Sequence, residues 1–271
     1  MQRPFGLAAL TVLDLTPPQM VSTAADAGYS HVGIRLIPAT PDEVRHDIVG
    51  DTALVRETAA RLKDTGVKVL DIEIFRLKPD TRVEDYRPML ETGALFGASQ
   101  ALVAGNDPDE LRLIDSFAEF CDLAAEYGIA PSLEPMPWTD VRDIVQGARV
   151  AAAAARPNGG VLIDPIHFDR ADSKVTDIAA VPASRFRYAQ ICDAPAQRPK
   201  DLVELLFQAR CERLMPGEGG LDLKGIFGAL PRDLPVSVEA PNDRLAKTMD
   251  PTERARRLLV ATKKLLESLH P

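Results

Sequence analysis

Residues 235–241 read PVSVEAP, a short apolar run that ends on Glu239. Its length and its valines suit a strand buried on both faces. A carboxylate at the end of such a strand is costly to bury unless something pairs with it. Three earlier runs end in the same way: Glu134 in PSLEP (131–135), Asp164 in VLIDP (161–165) and Gln190 in FRYAQICD (186–193). Three carboxylates and an amide oxygen brought to one point would repel one another. A divalent cation among them would turn that repulsion into attraction.

Working outward from these runs, short apolar stretches alternate with longer amphipathic ones along the whole chain. Strands are expected at Gly6–Val12, His31–Leu36, Val67–Phe75, Gln100–Ala104, Ala130–Glu134, Gly160–Asp164, Phe186–Cys192 and Val236–Ala240. Helices are expected at Pro18–Ala27, Thr52–Thr65, Val83–Phe96, Pro108–Tyr127, Asp140–Ala155, Pro199–Arg210, Leu223–Ala229 and Thr252–Leu269. Gly28, Gly66, Gly97 and Gly128 close four of these helices, as C-terminal cap glycines do before the next strand. Eight strand–helix alternations imply a parallel sheet, because each crossover carries the chain back to the same end. A doubly wound open sheet and a closed (β/α)8 TIM barrel both fit. The count of eight favours the barrel, and so do polar residues at several strand ends, where barrels place their chemistry. The first crossover, TVLDLTPPQM, has no glycine-rich phosphate loop of the kind a nucleotide binder carries there. No linker or break in composition divides the chain, so a single domain over residues 1–271 is expected.

Composition narrows the function classes. The apolar fraction of 45% is ample for a large core, and the net charge is −8. That acidity argues against a nucleic-acid surface, which needs a basic stripe. Cys121, Cys192 and Cys211 are scattered and form no CxxC, which excludes a cysteine zinc knuckle and a disulfide framework. The opening MQRPFGLAAL reads as a first strand rather than a signal peptide, and no apolar run approaches the ~20 residues of a membrane span. The expected location is the cytoplasm, with no membrane partner.

The ordered segments AADAGYSHVGIRL, SLEP, LIDPIHF, QICD, MPGEGGLDL and VSVEAPND make the chain resemble the sugar phosphate isomerase/epimerase superfamily, the xylose-isomerase-like TIM barrels. The resemblance covers nearly the whole chain. It implies one divalent ion, Mn2+, Mg2+ or Co2+, held by Glu134, Asp164, Gln190 and Glu239. Gln190 departs from the family, which usually has histidine there, although Gln190 and Asp193 keep the spacing of the family's H-x-x-D pattern. An all-oxygen set favours Mn2+ or Mg2+ over Co2+ or Zn2+. A histidine-rich trinuclear zinc site, as in the endonuclease IV branch of this fold, needs more than His31, His46, His167 and His270 supply.

The same resemblance gives Glu134 and Glu239 a second role as the acid and base that move a proton beside a substrate carbonyl. His167, three residues after Asp164, is expected to touch substrate oxygen. Glu73 either lines the pocket or is an interior carboxylate bonded to an arginine. Arg35 and Arg76 are either such partners or binders of an anionic substrate. Arg198 and Lys200 are either substrate ligands or solvated loop charges. Trp138 and Phe75 are either an apolar wall under a sugar ring or packing residues, Glu218 in PGEGG is a loop or surface-turn residue, and Cys192 is a small buried filler. The activity expected is metal-dependent isomerisation or epimerisation of a small carbohydrate or hydroxy-keto acid. Two alternatives stand beside it: a lyase of the 3-dehydroshikimate dehydratase type, and a non-catalytic barrel. By resemblance, the protein is expected to be a homo-oligomer, a dimer or tetramer.

Overall fold

The computed structural model describes residues 3–269, so His270 and the two ends of the expected domain range lie outside the described residues. Eight parallel strands close into one barrel in chain order. They are β1 (Phe5–Leu7), β2 (His31–Arg35), β3 (Lys68–Leu77), β4 (Gln100–Gly105), β5 (Ala130–Leu133), β6 (Gly160–Ile163), β7 (Phe186–Ile191) and β8 (Val236–Val238). The barrel shuts where Phe5, Gly6 and Leu7 of β1 lie opposite Val236, Ser237 and Val238 of β8. Between and after the strands run α1 (Pro17–Ala27), α2 (Ala53–Thr65), α3 (Arg87–Leu95), α4 (Glu110–Ala125), α5 (Ile144–Ala153), α6 (Pro165–Arg170), α7 (Val175–Ala179), α8 (Leu202–Cys211), α9 (Leu223–Ala229), α10 (Asp243–Thr248) and α11 (Pro251–Glu267).

Local sequence accounts for the helix ends. At the start of α1, which opens on Pro17 and Pro18, Gln19 Oε1 accepts from the Thr16 N–H and hydroxyl, both at 2.9 Å. Thr52 accepts from the Val55 backbone N–H at the start of α2. The chain leaves α1 and α2 through Gly28 and Gly66 at φ of 90° and 71°, which a side chain would disfavour.

Apolar side chains pack in two places, which is why the strands read as apolar throughout. The larger cluster lies between barrel and helices and includes Ile34, Val69, Ile72, Phe75, Val103 and Phe120. A smaller one, with Leu70, Ile74, Leu102, Leu162 and Tyr188, is separate from it. The β3 pattern is not a clean alternation. Alternation would put Leu70, Ile72 and Ile74 on one face, but Ile72 joins the larger cluster while Leu70 and Ile74 join the smaller. The register shifts against β2 between Val32 and Gly33, opposite Val69 and Asp71, and against β4 between Ile72 and Phe75.

Three further differences from the expected elements have local causes. The first strand stops at Leu7, and Ala9–Val12 coils into a 3-10 turn. The Thr11 hydroxyl ties that turn to the end of β8, donating to the Val238 carbonyl and accepting from the Ala240 N–H, both at 2.9 Å. The helix expected over Val83–Phe96 divides into a 3-10 turn, Val83–Tyr86, and α3, because Pro88 has no N–H to continue the ladder across the junction. The short helices α6, α7 and α10 were not expected from periodicity, having too few residues to show one. No described helix is long and apolar enough to cross a membrane.

Candidate functional site

Glu134, Asp164 and Glu239 each sit one residue beyond their strand, and Gln190 is the penultimate residue of β7. All four are buried. Backbone pairing fixes two of them beyond the strand ends: Glu134 N–H donates to the Val103 carbonyl at 2.8 Å and Glu239 N–H to Ile191 at 3.0 Å. Asp164 is also the cap of α6, accepting from the Ile166 N–H at 3.0 Å. That cap turns the chain so that His167, one turn on, faces back over the strand ends.

Glu134, Asp164 and His167 gather most closely, with one ligand atom of each within 4.8 Å of the others. His167 Nε2 lies 3.7 Å from Glu134 Oε1 and 3.7 Å from Asp164 Oδ2. That is too long for hydrogen bonds. It matches two ligands sharing one ion, whose donor atoms stand roughly 3–4 Å apart when each bond is about 2 Å. Glu134 Oε1 and Gln190 Oε1 are buried and have no hydrogen-bond partner among the described residues. A divalent cation therefore fits the Glu134, Asp164 and His167 side of the site.

The other side is arranged differently from the sequence expectation. Gln190 Nε2 donates to Glu239 Oε1 at 2.9 Å, so the amide faces the neighbouring carboxylate with its nitrogen. Arg213, which sequence reasoning did not single out, lies among these residues. Its Nη1 is 2.5 Å from Asp164 Oδ2, 3.0 Å from Glu239 Oε2 and 3.0 Å from the Glu239 carbonyl. A guanidinium thus supplies positive charge to two of the carboxylates expected to share a metal. Its position follows from the PGEGG loop. The Asp193 carboxylate accepts from the backbone N–H groups of Ala194, Gly217, Gly219 and Leu221. Gly219 lies so close to that carboxylate that a Cβ has no room. The wrapped loop and the Asp193–Leu214 bridge set Arg213 in place. A lone arginine just before the apolar pair Leu214–Met215 was the available signal.

Burial and charge together set the ionisation. Burial pushes Glu134 well above the usual carboxylate range, and Glu239 and Asp164 add to it. Glu239 is pushed up to about 8 by burial, with Glu73 and Asp164 adding and Arg213 opposing. Asp164 is buried as well, yet the nearer contact with Arg213, together with His167 and the Ile166 N–H, holds it below its ordinary value. Burial lowers His167 to about 4, so the imidazole is neutral and can ligate. A cation beside Glu134 would offset that elevation by favouring the charged carboxylate.

Over these groups opens a cavity of about 490 Å³, bordered by Glu134, His167, Glu239, Trp138, Met136 and Arg213. The Trp138 ring meets the His167 imidazole edge-on at 4.8 Å. Glu73 and Arg35 also line it, but they are bonded to each other at 3.0 Å, and Arg35 reaches Glu43 at 3.2 Å. Of the two readings of Glu73, the arginine-bonded interior carboxylate matches this geometry, on the cavity wall. Arg198 does not line the cavity: it is 44% exposed, paired with Asp172 at 2.5 Å, and caps the Asp169 carbonyl at 2.6 Å. Phe75 belongs to an aromatic group with Tyr86 and Phe120 and not to the cavity. Glu218 is exposed, and Cys192 is buried with its thiol 3.6 Å from Asp164 Oδ1.

The fold and this rim define a (β/α)8 barrel of the class whose polar site lies beyond the C-terminal ends of strands five to eight. The chain belongs to the xylose isomerase-like TIM barrel family, whose model matches residues 21–265. A curated relative, 3-dehydroshikimate dehydratase of Pseudomonas aeruginosa, is 25% identical over 259 residues, 90% of this chain and 38% of the relative. The chain thus spans well under half the length of that protein. Among solved structures, the IolI protein with a bound zinc atom superposes with a TM-score of 0.79 at 19% identity, covering 98% of this chain and 99% of that one. A D-allulose 3-epimerase from Methylomonas sp., solved with D-allulose, superposes with a TM-score of 0.71 at 18% identity, covering 97% and 98%.

Proposed function

We propose that the protein is a divalent-metal-dependent isomerase or epimerase of a small hydroxy-carbonyl compound, a carbohydrate or hydroxy-keto acid. The observation that carries this reading is the 3.7 Å spacing of His167 Nε2 from both Glu134 and Asp164, beside a buried Glu134 oxygen with no partner. Glu134, Asp164 and His167 hold the ion, with the Gln190 amide beside them. Mn2+ or Mg2+ suits the carboxylates, and the imidazole adds room for Zn2+ or Co2+. The ion supplies Lewis acidity at the substrate carbonyl.

The chain's own groups move the proton. Glu239, with its carboxyl near 8, is matched to both take and give a proton close to neutral pH. Arg213 and Gln190 fix its orientation through the contacts at 3.0 and 2.9 Å. Glu134 faces the cavity from the neighbouring side and serves as the second carrier. Return of the proton to the opposite face of the same carbon is epimerisation; return to the adjacent carbon is isomerisation. The substrate-derived intermediate in either case is an enediolate. Trp138 and Met136 keep water from the reacting face.

A second reading shares the first step. In a lyase, the α-proton leaves in the same way, and the β-hydroxyl then departs as water. The 25% identity to a 3-dehydroshikimate dehydratase and the arginines around the cavity favour it. One experiment separates the readings: incubation in deuterated buffer with Mn2+ and a panel of ketoses and dehydroshikimate. Isomerase or epimerase action puts deuterium beside the carbonyl and conserves mass otherwise. Lyase action gives a product lighter by one water, with a new double bond absorbing in the ultraviolet. Exchange at the wild-type rate in Glu239→Gln removes Glu239 from the mechanism. A protein that neither exchanges nor dehydrates any member of the panel, and binds no ion, is a non-catalytic barrel.

A further inference from the structure

Four arginines border the cavity, and they divide into two kinds. Arg35 is paired with Glu73 and Glu43, and Arg213 with Asp164 and Glu239. Arg76 and Arg210 have no carboxylate partner among the described residues. Arg76 projects from the end of β3 and is steered by neutral acceptors only, the Asn106 side-chain oxygen at 3.1 Å and the Ala39 carbonyl at 3.3 Å. Arg210 comes from the last turn of α8 and lies over the Trp138 ring at 5.9 Å, the ring that contacts His167. Burial disfavours the charge on both, and each repels other cavity arginines. A guanidinium does not shed its proton to escape such a setting. It is stable there when an oxyanion enters with the ligand, and its planar fork suits carboxylate and phosphate oxygens.

We infer that Arg76 and Arg210 form an anion subsite beside the Trp138–His167 edge, so that the substrate carries a carboxylate or phosphate as well as its hydroxy-carbonyl unit. Resting on the reading of this cavity as the substrate site, the inference narrows the substrate from a carbohydrate or hydroxy-keto acid to a hydroxy-carbonyl compound that bears an anionic group. It also assigns the role left open between Arg35, Arg76 and Arg198. Arg35 is committed to glutamates and Arg198 lies outside the cavity, whereas Arg210 shares the task with Arg76.

The test is calorimetric titration of the full chain, with Mn2+ present and after chelation, using cyclohexanecarboxylate, its neutral amide and inorganic phosphate. The carboxylate is expected to bind about tenfold or more tightly than the amide, and less tightly as salt rises. Arg76→Gln and Arg210→Gln should each weaken it about tenfold, and Arg210→Lys should recover part of the loss. Phosphate that competes with the carboxylate and binds more tightly assigns the subsite to phosphoryl substrates; the reverse order assigns it to carboxylates. Equal binding of acid and amide, or unchanged binding in both glutamine variants with wild-type thermal stability, overturns the subsite. The outcome is independent of turnover. Anion binding with neither α-deuterium exchange nor dehydration leaves the subsite and sinks the enzyme assignment. Exchange on neutral ketoses by a protein that ignores anions does the opposite.

Discussion

The barrel rim carries two groups of buried charges, and they are finished to different degrees. On the β2–β3 side, Arg35 holds Glu73 at 3.0 Å and Glu43 at 3.2 Å. On the β5–β8 side, Arg213 satisfies Asp164 and Glu239, but Glu134 Oε1, Gln190 Oε1 and His167 Nδ1 have no partner among the described residues. Arginine compensates the carboxylates on the first side and Asp164 and Glu239 on the second, but not Glu134. Asp71 Oδ1 on β3 also lacks a partner among the described residues, but Asp71 does not line the cavity. Only the second group leaves capacity there, at Glu134 and His167, and surplus capacity in a cavity marks where a ligand completes the arrangement. Burial alone does not distinguish function from scaffolding here; the unfinished polar inventory does.

The comparison is broken most sharply by exchanging the two sides' glutamates. Glu134→Gln and Glu239→Gln should each lower turnover on the order of 10²–10⁴-fold, measured as loss of α-proton exchange. Glu73→Gln should instead cost stability, about 1.5–3 kcal/mol in a denaturant titration, and only a minor share of turnover. Equal losses of turnover on both sides would end the distinction. Next in size, Arg213→Met leaves two buried carboxylates without their cation and should destabilise the fold by about 3–5 kcal/mol. Added Mn2+ should return part of that stability, since the ion neutralises the same cluster.

A pH series sharpens the account of the interior. Asp71, hydrogen-bonded by Tyr188 at 3.3 Å, is pushed up to about 8 by burial, with Glu73 adding. The folded state therefore holds a proton that the unfolded state has released above about pH 4. The stabilisation is present in full below the unfolded value and is lost as pH rises through the folded one. Stability should fall between about pH 4 and 8, with a slope of up to about 1.4 kcal/mol per pH unit for one such proton. Asp71→Asn should flatten that part of the profile; an unchanged slope would show that Asp71 is ionised in the fold. The smallest effect belongs to Arg198→Ala, which removes a half-exposed pair with Asp172 and should change stability by about 1 kcal/mol or less and turnover not at all.

Much of this was legible in the sequence because strand ends are punctuated. Apolar runs that stop at Glu134, Asp164 and Glu239, and glycines after four helices, give the barrel and its rim directly. Periodicity and burial cost act locally, and local rules survive in sequence. Three-dimensional pairing does not. Gln190 reads as an oxygen donor, but its amide presents nitrogen to Glu239, a choice made by a neighbour 49 residues away. His167 reads as a substrate contact, and the cap at Asp164 carries it into the cluster itself. Arg213 was hidden because its role depends on a loop wrapped around Asp193, which no residue spacing announces. Arg198 reads equally as a substrate ligand or a solvated loop charge, and its half-exposed pairing with Asp172 matches the second.

The proposed metal site lies on the β5–β8 side of the rim. The most direct measurement is titration of the chelator-treated protein with Mn2+, counting free ion by electron paramagnetic resonance, for wild type and Asp164→Asn. One saturable site per chain is expected, with a rise in melting temperature, and loss of that site in the variant. Absence of saturable binding, or the same binding in Asp164→Asn, would contradict it.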